Sequence, residues 1–365
     1  MGERTGTILF SGGGSVGHLA PGFALADELT ARGLACQFAT PGEAVERDWF
    51  EGRSAPHTLP AVRLPRRAGA LMAFPFRFRR CVQGAAALLQ RERPDALVAL
   101  GGWPCAPAAW AARGVGVPLV FLVPDAIPGL VVRKLARRAA RIYLADGRAQ
   151  AHLAGHPGLR VTGPLLRREA LALRRDPTVF GLQPGRRTLF VTGGSLGAQR
   201  LYERFLAGLE AAVAGDPALA DRIQILHATG KSGADPAAVY ARLGIPHAVV
   251  PFVQDMGAAY GSADLVLCRA GASTCAELQA TGTPAVLVPY PHHADRQQFE
   301  NAAALVDVGG AALVEQAALE PAVVGAAILG LLEDEDRLAA MRVALGTGSA
   351  DAAAAVADDL GRFLG

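Results

Sequence analysis

Residues 263–277 read ADLVLCRAGASTCAE, and the fold turns on how this stretch is interpreted. The apolar run Leu265 to Leu267 has the character of a strand buried on both faces. Arg269-Ala270-Gly271-Ala272-Ser273-Thr274 turns the chain, and a helix continues from Cys275 to Ala280. Small residues let backbone approach a ligand closely. The new helix offers unpaired N–H groups and the positive end of its dipole, which together suit an anion. Glu277, about one helical turn further on, is placed to bind a sugar diol. A second polar cluster, His292-His293-Ala294-Asp295-Arg296-Gln297-Gln298, follows the apolar run Ala285 to Val288. The two strand ends predict one pocket for a nucleotide diphosphate sugar. Two ordinary strand–helix turns would share the local pattern, so the rest of the chain has to decide.

With 365 residues, 51% of them hydrophobic and 19% charged, the chain is long enough and apolar enough for two well-cored domains. A net charge of +3 does not imply nucleic acid, and no nucleic-acid-binding module is legible. The five cysteines show no CxxC pairing, which suits a reducing compartment and argues against a disulfide framework or a zinc site. Asp334-Glu335-Asp336 has the composition of an acidic metal motif but falls between helices, so no metal site is expected. No apolar run reaches the length of a membrane span, and the first residues lead straight into a strand without a signal peptide.

Thr7 to Phe10 is a short strand. Ser11-Gly12-Gly13-Gly14-Ser15-Val16-Gly17-His18 is a glycine-rich turn, and Leu19 to Arg32 an amphipathic helix with Pro21 in its first turn. This opening is that of a doubly wound α/β domain, although the glycines do not fit the dinucleotide fingerprint. His18 lies at the loop–helix junction, on the strand edge where such domains bind ligands. The later strand ends Gly101-Gly102-Trp103-Pro104 and Pro124-Asp125 should open on the same edge. Asp125 is a candidate carboxylate there.

Gly52 to Arg91 holds eight arginines and no acid. Its middle interleaves Leu71, Met72, Phe74, Phe76 and Phe78 with Arg77, Arg79 and Arg80. That pattern predicts a surface laid on an anionic membrane, with a solvated loop and a core-packing helix as the plainer alternative. Gly163 to Arg187 reads as a linker. The pattern then restarts at Thr188 with a second glycine turn, Gly193-Gly194-Ser195-Leu196-Gly197. Two α/β domains facing each other across a cleft are expected, over 1–163 and 164–341, with a terminal helix in 342–365 packing back on the first.

The first glycine loop ending in His18, with LFVTGGSLGAQR, HATGK, PFVQDMGAAY, ADLVLCRAGASTCAE and HADRQQFENA, resembles the MurG family over nearly the whole chain and in order. That family transfers N-acetylglucosamine from UDP-N-acetylglucosamine to the undecaprenyl-pyrophosphoryl-N-acetylmuramoyl-pentapeptide carrier, lipid I, giving lipid II for peptidoglycan. The resemblance implies a GT-B fold with two Rossmann-like domains and metal-independent, cofactor-free inverting transfer. It also implies peripheral attachment to the cytoplasmic face of the bacterial inner membrane.

Carried over by residue, it implies that Ser195 bonds the diphosphate and that Val253 holds uracil through its backbone. Ala272, Ser273 and Thr274 cradle the diphosphate, Glu277 binds the ribose, and Gln297 and Gln298 contact the sugar. Ser15 and Gly17 border the donor sugar and the acceptor pyrophosphate. His18 is the candidate general base. Gly13, Gly14, Asp125 and Arg167 are assigned to the acceptor side or the domain seam.

Three departures fall on that side. Ser15-Val16 replaces Thr-Gly, where a β-branched residue should narrow the backbone. Val123-Pro124-Asp125-Ala126 replaces the family's His-Glu-Gln-Asn, and Gly163-Pro164-Leu165-Leu166-Arg167 replaces Gly-Asn-Pro-Val-Arg. They motivate alternative readings: a UDP-sugar transferase with another lipid or small-molecule acceptor, or a non-catalytic UDP-sugar binder. Non-hydrolysing UDP-N-acetylglucosamine 2-epimerases share the architecture and are a further alternative.

Overall fold

The computed structural model describes every residue except 1–5, 14–15, 44–47, 51–52, 62–67, 195–196, 232–234, 293–294 and 347–351; the side chains at 16, 48 and 68–71 are also outside the description. The chain divides into two compact units, residues 1–167 with 351–365, and residues 168–350.

The first unit is built on seven strands: β1 (Thr7–Ser11), β2 (Ala35–Thr40), β3 (His57–Thr58), β4 (Ala96–Ala99), β5 (Leu119–Val123), β6 (Arg141–Leu144) and β7 (Leu159–Val161). All pair in parallel, in the order β3-β2-β1-β4-β5-β6-β7. Their apolar runs serve two faces. Leu9 joins one core with Leu97 and Phe121, while Ile8 and Phe10 join the other with Val98 and Val120. The helix Val16–Ala31 covers the second face. It lies close over the end of β4, because a Cβ at Gly12 or at Gly22 would come within 2.7 Å of the Leu100 side chain.

That helix starts earlier than the sequence predicts, so Pro21 stands in its second turn, where it withholds one backbone donor. Val16 is helical there. The β-branched residue therefore meets right-handed backbone rather than a conformation reserved for glycine, which removes the expected strain. The terminal helix Ala352–Leu364 packs Val356, Ala357 and Leu360 into the same core. Its Asp359 accepts from Tyr143 Oη at 2.9 Å and from Arg141 Nε at 3.2 Å. The preceding helix, Glu335–Leu345, buries Leu338 and Met341 in the second unit, so a boundary at 341 would cut through it.

The second unit repeats the plan with β8 (Arg187–Thr192), β9 (Ile223–Ala228), β10 (His247–Val250), β11 (Leu265–Cys268), β12 (Ala285–Leu287) and β13 (Ala311–Leu313), in the order β10-β9-β8-β11-β12-β13. Of the stretch predicted as a linker, Gly163 to Arg187, the part from Arg168 onward belongs to this unit. It forms the short helix Arg168–Leu171 and a turn at Pro177–Phe180. A Cβ at Gly257 would stand 2.4 Å from the Ala172 carbonyl oxygen, and one at Gly261 2.4 Å from that of Arg174.

The two sheets share one further device. Asp95, just before β4, accepts from Thr7 N at 2.7 Å. Asp264, just before β11, accepts from Thr188 N at 2.8 Å and is flanked by Arg175 and Arg187 at 3.3 and 3.4 Å. In each unit an aspartate thus pins the first strand to the fourth at the edge opposite the strand C-termini. Each strand order reverses between its first and fourth strands, β1/β4 and β8/β11. Open α/β sheets bind ligands outside the strand C-termini at that reversal.

Candidate active site

At the β8/β11 reversal the helix Ala272–Thr281 begins three residues earlier than predicted, so Ala272, Ser273 and Thr274 form its first turn rather than the loop before it. Gly271 is the N-cap and has no side chain to take their N–H groups. The first N–H groups of a helix have no intrahelical acceptor, so this turn is suited to an anion. Glu277 follows one turn on and is only 8% exposed. It is not an open carboxylate: Tyr260 Oη donates to its Oε2 at 2.8 Å. The Tyr260 hydroxyl is held well above its usual pKa, first by burial and then by the Glu277 charge, so it stays a donor. Sequence reasoning quoted Tyr260 within a motif but gave it no role.

The end of β12 supplies the second wall. The helix Gln297–Asp307 starts from Arg296, whose φ of 53° is unusual for a side-chain-bearing residue. Gln298 Oε1 accepts from Tyr290 N at 2.8 Å, so its carbonyl is committed to the loop and its amide is the end left for a ligand. Gln297 lies beside it on the first turn, where its backbone N–H donates to Asp295 Oδ1 at 3.3 Å. Asn301 Nδ2 donates to the Ala270 carbonyl at 3.3 Å, tying this helix to the turn after β11.

Around the second glycine loop, Ser195 lies outside the described residues, but its supports do not. Gly194 and Gly197 have φ near +75° (76° and 74°). Gly230, from HATGK, packs so tightly on them that a Cβ would stand 2.5 Å from Gly197 N and 2.6 Å from Gly194 O. Gly193 lies against Tyr202, whose hydroxyl donates to the Ala228 carbonyl at 3.1 Å. Val253 is buried in the core beside Tyr260, so what it offers a ligand is backbone.

At the β1/β4 reversal, the His18 imidazole rests on the glycine pair that ends β4. Gly101 and Gly102 have φ of 83° and 68°, and Cβ positions built on them come 3.7 Å from His18 Nδ1 and 3.4 Å from Nε2. Among the described residues Nδ1 is buried without a partner, and the residue as a whole is half-buried. Asp125 is half-buried one strand over, after β5. Gly13 is described, with φ 130°, and Gly17 lies in the first turn of the helix; Gly14 and Ser15 lie outside the described residues. Arg167 is assigned by the sequence to the acceptor side or the domain seam. Its guanidinium lies 4.4 Å over the Trp49 ring within the first unit, with Nε buried and unpaired.

The basic aromatic stretch is a helix, Ala68–Glu92, and only part of it faces outward. Phe74 and Phe78 turn inward, stacking on each other at 5.8 Å and meeting Trp103 and Trp110 edge-on. Met72 and Phe76, one helical turn apart, are 82% and 77% exposed, with Arg79 and Arg80 exposed next along that stripe. Leu71's side chain lies outside the description. Arg138 covers Trp110 at 4.0 Å, and Arg133, Lys134 and Arg137 are exposed nearby in the chain. Among the described residues no helix is long and apolar enough to cross a membrane.

The acidic trio has structural uses. Asp334 caps its helix by accepting from Arg337 N at 3.0 Å, and Glu335 pairs with Arg187 at 2.6 Å and Arg342 at 3.1 Å. Among the described residues no three His, Cys, Asp or Glu side chains gather as a metal cluster.

Comparison with known proteins agrees over both units. The glycosyltransferase family 28 N-terminal domain matches residues 8–144 and the C-terminal domain of the same family matches 188–356. A UDP-N-acetylglucosamine–N-acetylmuramyl-(pentapeptide) pyrophosphoryl-undecaprenol N-acetylglucosamine transferase of a Nocardioides species is 39% identical, with 92% of each chain covered. The transferase of that name from Frankia casuarinae is 37% identical, covering 96% of this chain and 94% of its own. The crystal structure of MurG from Acinetobacter baumannii matches with a TM-score of 0.72 at 26% identity, over 98% of this chain and 99% of that one.

Proposed function

Because the chain belongs to glycosyltransferase family 28, among the undecaprenyl-pyrophosphoryl-N-acetylmuramoyl-pentapeptide N-acetylglucosamine transferases, we propose that it moves N-acetylglucosamine from UDP-N-acetylglucosamine to lipid I, giving lipid II. The observation that carries this reading is the second unit's strand-end site. An uncapped helix start suits a diphosphate, a carboxylate held by Tyr260 stands one turn beyond it, and Gln298 is fixed on the adjoining strand end.

In this reading Ala272 to Thr274 and Ser195 take the diphosphate, Glu277 the ribose hydroxyls, the Val253 backbone the uracil, and Gln297 and Gln298 the sugar. The acceptor hydroxyl attacks the anomeric carbon from the face opposite UDP. A C–O bond forms to the acceptor, the C–O bond to the diphosphate breaks with its electron pair, and the hydroxyl proton passes to His18. The negative charge arriving on UDP is met by the helix N–H groups and dipole. Ser15 and Gly17 border the donor sugar and the acceptor pyrophosphate in this reading, with Gly13, Gly14, Asp125 and Arg167 on the acceptor side or the domain seam.

The exposed stripe Met72, Phe76, Arg79 and Arg80 suits a peripheral hold on an anionic membrane, with apolar tips in the interface and guanidinium groups on headgroups. On the cytoplasmic face of the inner membrane this would bring the chain to its lipid-linked acceptor. Met72→Ser with Phe76→Ser should reduce sedimentation with anionic liposomes while leaving the fold intact. Unchanged binding would refute the assignment.

The deciding experiment is UDP release from UDP-N-acetylglucosamine with and without a lipid I analogue, in the presence of EDTA. Acceptor-dependent release that survives EDTA is expected. Conversion of the donor sugar without an acceptor would instead indicate an epimerase. Donor binding without release would move the search to another acceptor or a binding role.

A further inference from the structure

Arg269 opens the turn after β11, and its guanidinium is spent on the protein. One terminal nitrogen donates to the carbonyl oxygens of Val288 and Pro289 at 3.0 and 3.2 Å, and the other to Gln316 Oε1 at 2.5 Å. The Tyr290 ring lies 5.7 Å away. Three of the five guanidinium N–H donors are thus engaged by protein oxygens, which fixes the side chain against the strand end. Burial pushes the guanidinium below its usual pKa. A half-buried cation is tolerable because carbonyl oxygens satisfy it. The segment it holds is the one whose next amide, Tyr290 N, fixes Gln298. Asn301 ties the same turn to the Gln297–Asp307 helix from the other side.

We propose that Arg269 is a positioning residue that locks the strand end carrying the sugar contacts to the turn carrying the diphosphate contacts. The site thereby favours the whole nucleotide sugar over the bare nucleotide. The assignment of those contacts rests on the donor reading above; the brace itself does not.

The test uses the full chain with Arg269→Lys, which keeps the charge and loses the fork. Three quantities are read: Kd for UDP, kcat/KM for UDP-N-acetylglucosamine, and backbone hydrogen exchange over 286–299 against 270–281 without ligand. We expect UDP affinity within about twofold of the parent, kcat/KM lower by about 30-fold, and faster exchange only over 286–299. Equal losses for UDP and UDP-N-acetylglucosamine would overturn the proposal in favour of a direct diphosphate role. Parental values throughout would overturn it outright. Should Arg269→Lys fold poorly, Gln316→Ala removes one contact of the three. It should shift the same two readouts less, and unchanged exchange in it would also overturn the brace. A parent protein that binds no UDP would count against the donor reading alone, because the exchange comparison needs no ligand.

Discussion

Around the turn after β11, the buried polar groups answer one another: Tyr260 holds Glu277, Asn301 holds Ala270, and Arg269 holds Val288 and Pro289. Among the described residues, Ser11 Oγ, His18 Nδ1 and Arg167 Nε in the first unit are buried without such a partner, as are Ser262 Oγ and His227 Nε2 in the second. Buried polar atoms are nearly always paired, and exceptions concentrate at working sites. The contrast is local: the turn after β11 is organised by the protein's own groups, whereas at Ser11, His18 and Arg167 polar atoms are left unmet. That fits a rigid nucleotide on one side and a large lipid-linked acceptor on the other.

The strongest way to break the contrast is His18→Ala. The proposed base role predicts a fall in kcat of about 10³-fold with UDP affinity unchanged. A variant that kept its turnover would remove His18 from the chemistry. The orphan Nδ1 makes a sharper claim. A buried N–H with no acceptor is costlier than a buried lone pair, so the free protein should carry the imidazole proton on Nε2. A base must present the Nε2 lone pair, so turnover requires the proton on Nδ1, at the cost of that unmet N–H. Nitrogen NMR of labelled histidine reads both states, and an Nδ1–H tautomer in the free protein would contradict the claim.

Next in size is the preorganised side. Glu277→Ala should weaken UDP binding about 100-fold, since it removes the diol acceptor and strands the Tyr260 hydroxyl. Tyr260→Phe keeps the carboxylate and loses only its holder, so about fivefold is expected. Equal effects by calorimetry would mean that Glu277 works through the tyrosine and not on the ribose.

The fold was legible because its signals are local: apolar runs of strand length, glycine turns after them, and helices between. What failed was partnership across the chain. Ala272-Ser273-Thr274 has loop composition, yet small and hydroxyl residues also serve a helix's first turn, so the start was placed three residues late. Phe74, Phe76 and Phe78 looked like one patch. On a helix, residues four apart share a face while the one between them points away, so Phe74 and Phe78 are half-buried against Trp103 and Trp110 and Phe76 is on the surface. The Glu277–Tyr260 and Arg269–Val288 contacts bridge separate elements, and no periodicity reports them. Gly163 to Arg187 has linker composition, but close-packed Gly257 and Gly261 make a seat for it.

The smallest effect on activity should come from the second unit's own orphan nitrogen, which makes it the best control on the contrast. His227, like His18, has an unpaired ring nitrogen, Nε2, but its surroundings are closed. It is fully buried, its Nδ1 meets Tyr240 Oη at 2.7 Å, and the Tyr202 ring lies 4.4 Å away edge-on. Burial pushes its pKa down to about 3, so it stays neutral in the folded chain. In the unfolded chain it would take a proton near its ordinary value of about 6.5. Between those values the unfolded state holds more protons, so the second unit should lose stability as pH falls from about 6.5 toward 3, with no effect above that window. The loss can reach about 1.4 kcal/mol per pH unit for one proton. His227→Phe should flatten that slope in denaturant midpoints taken from pH 7 to 4.5, with UDP affinity at neutral pH within about twofold of the parent. An unchanged slope would show that the group does not titrate on unfolding. A large loss of UDP affinity at neutral pH would mean that an orphan nitrogen marks function in the second unit too, and the distinction between a half-exposed His18 and an enclosed His227 would fail.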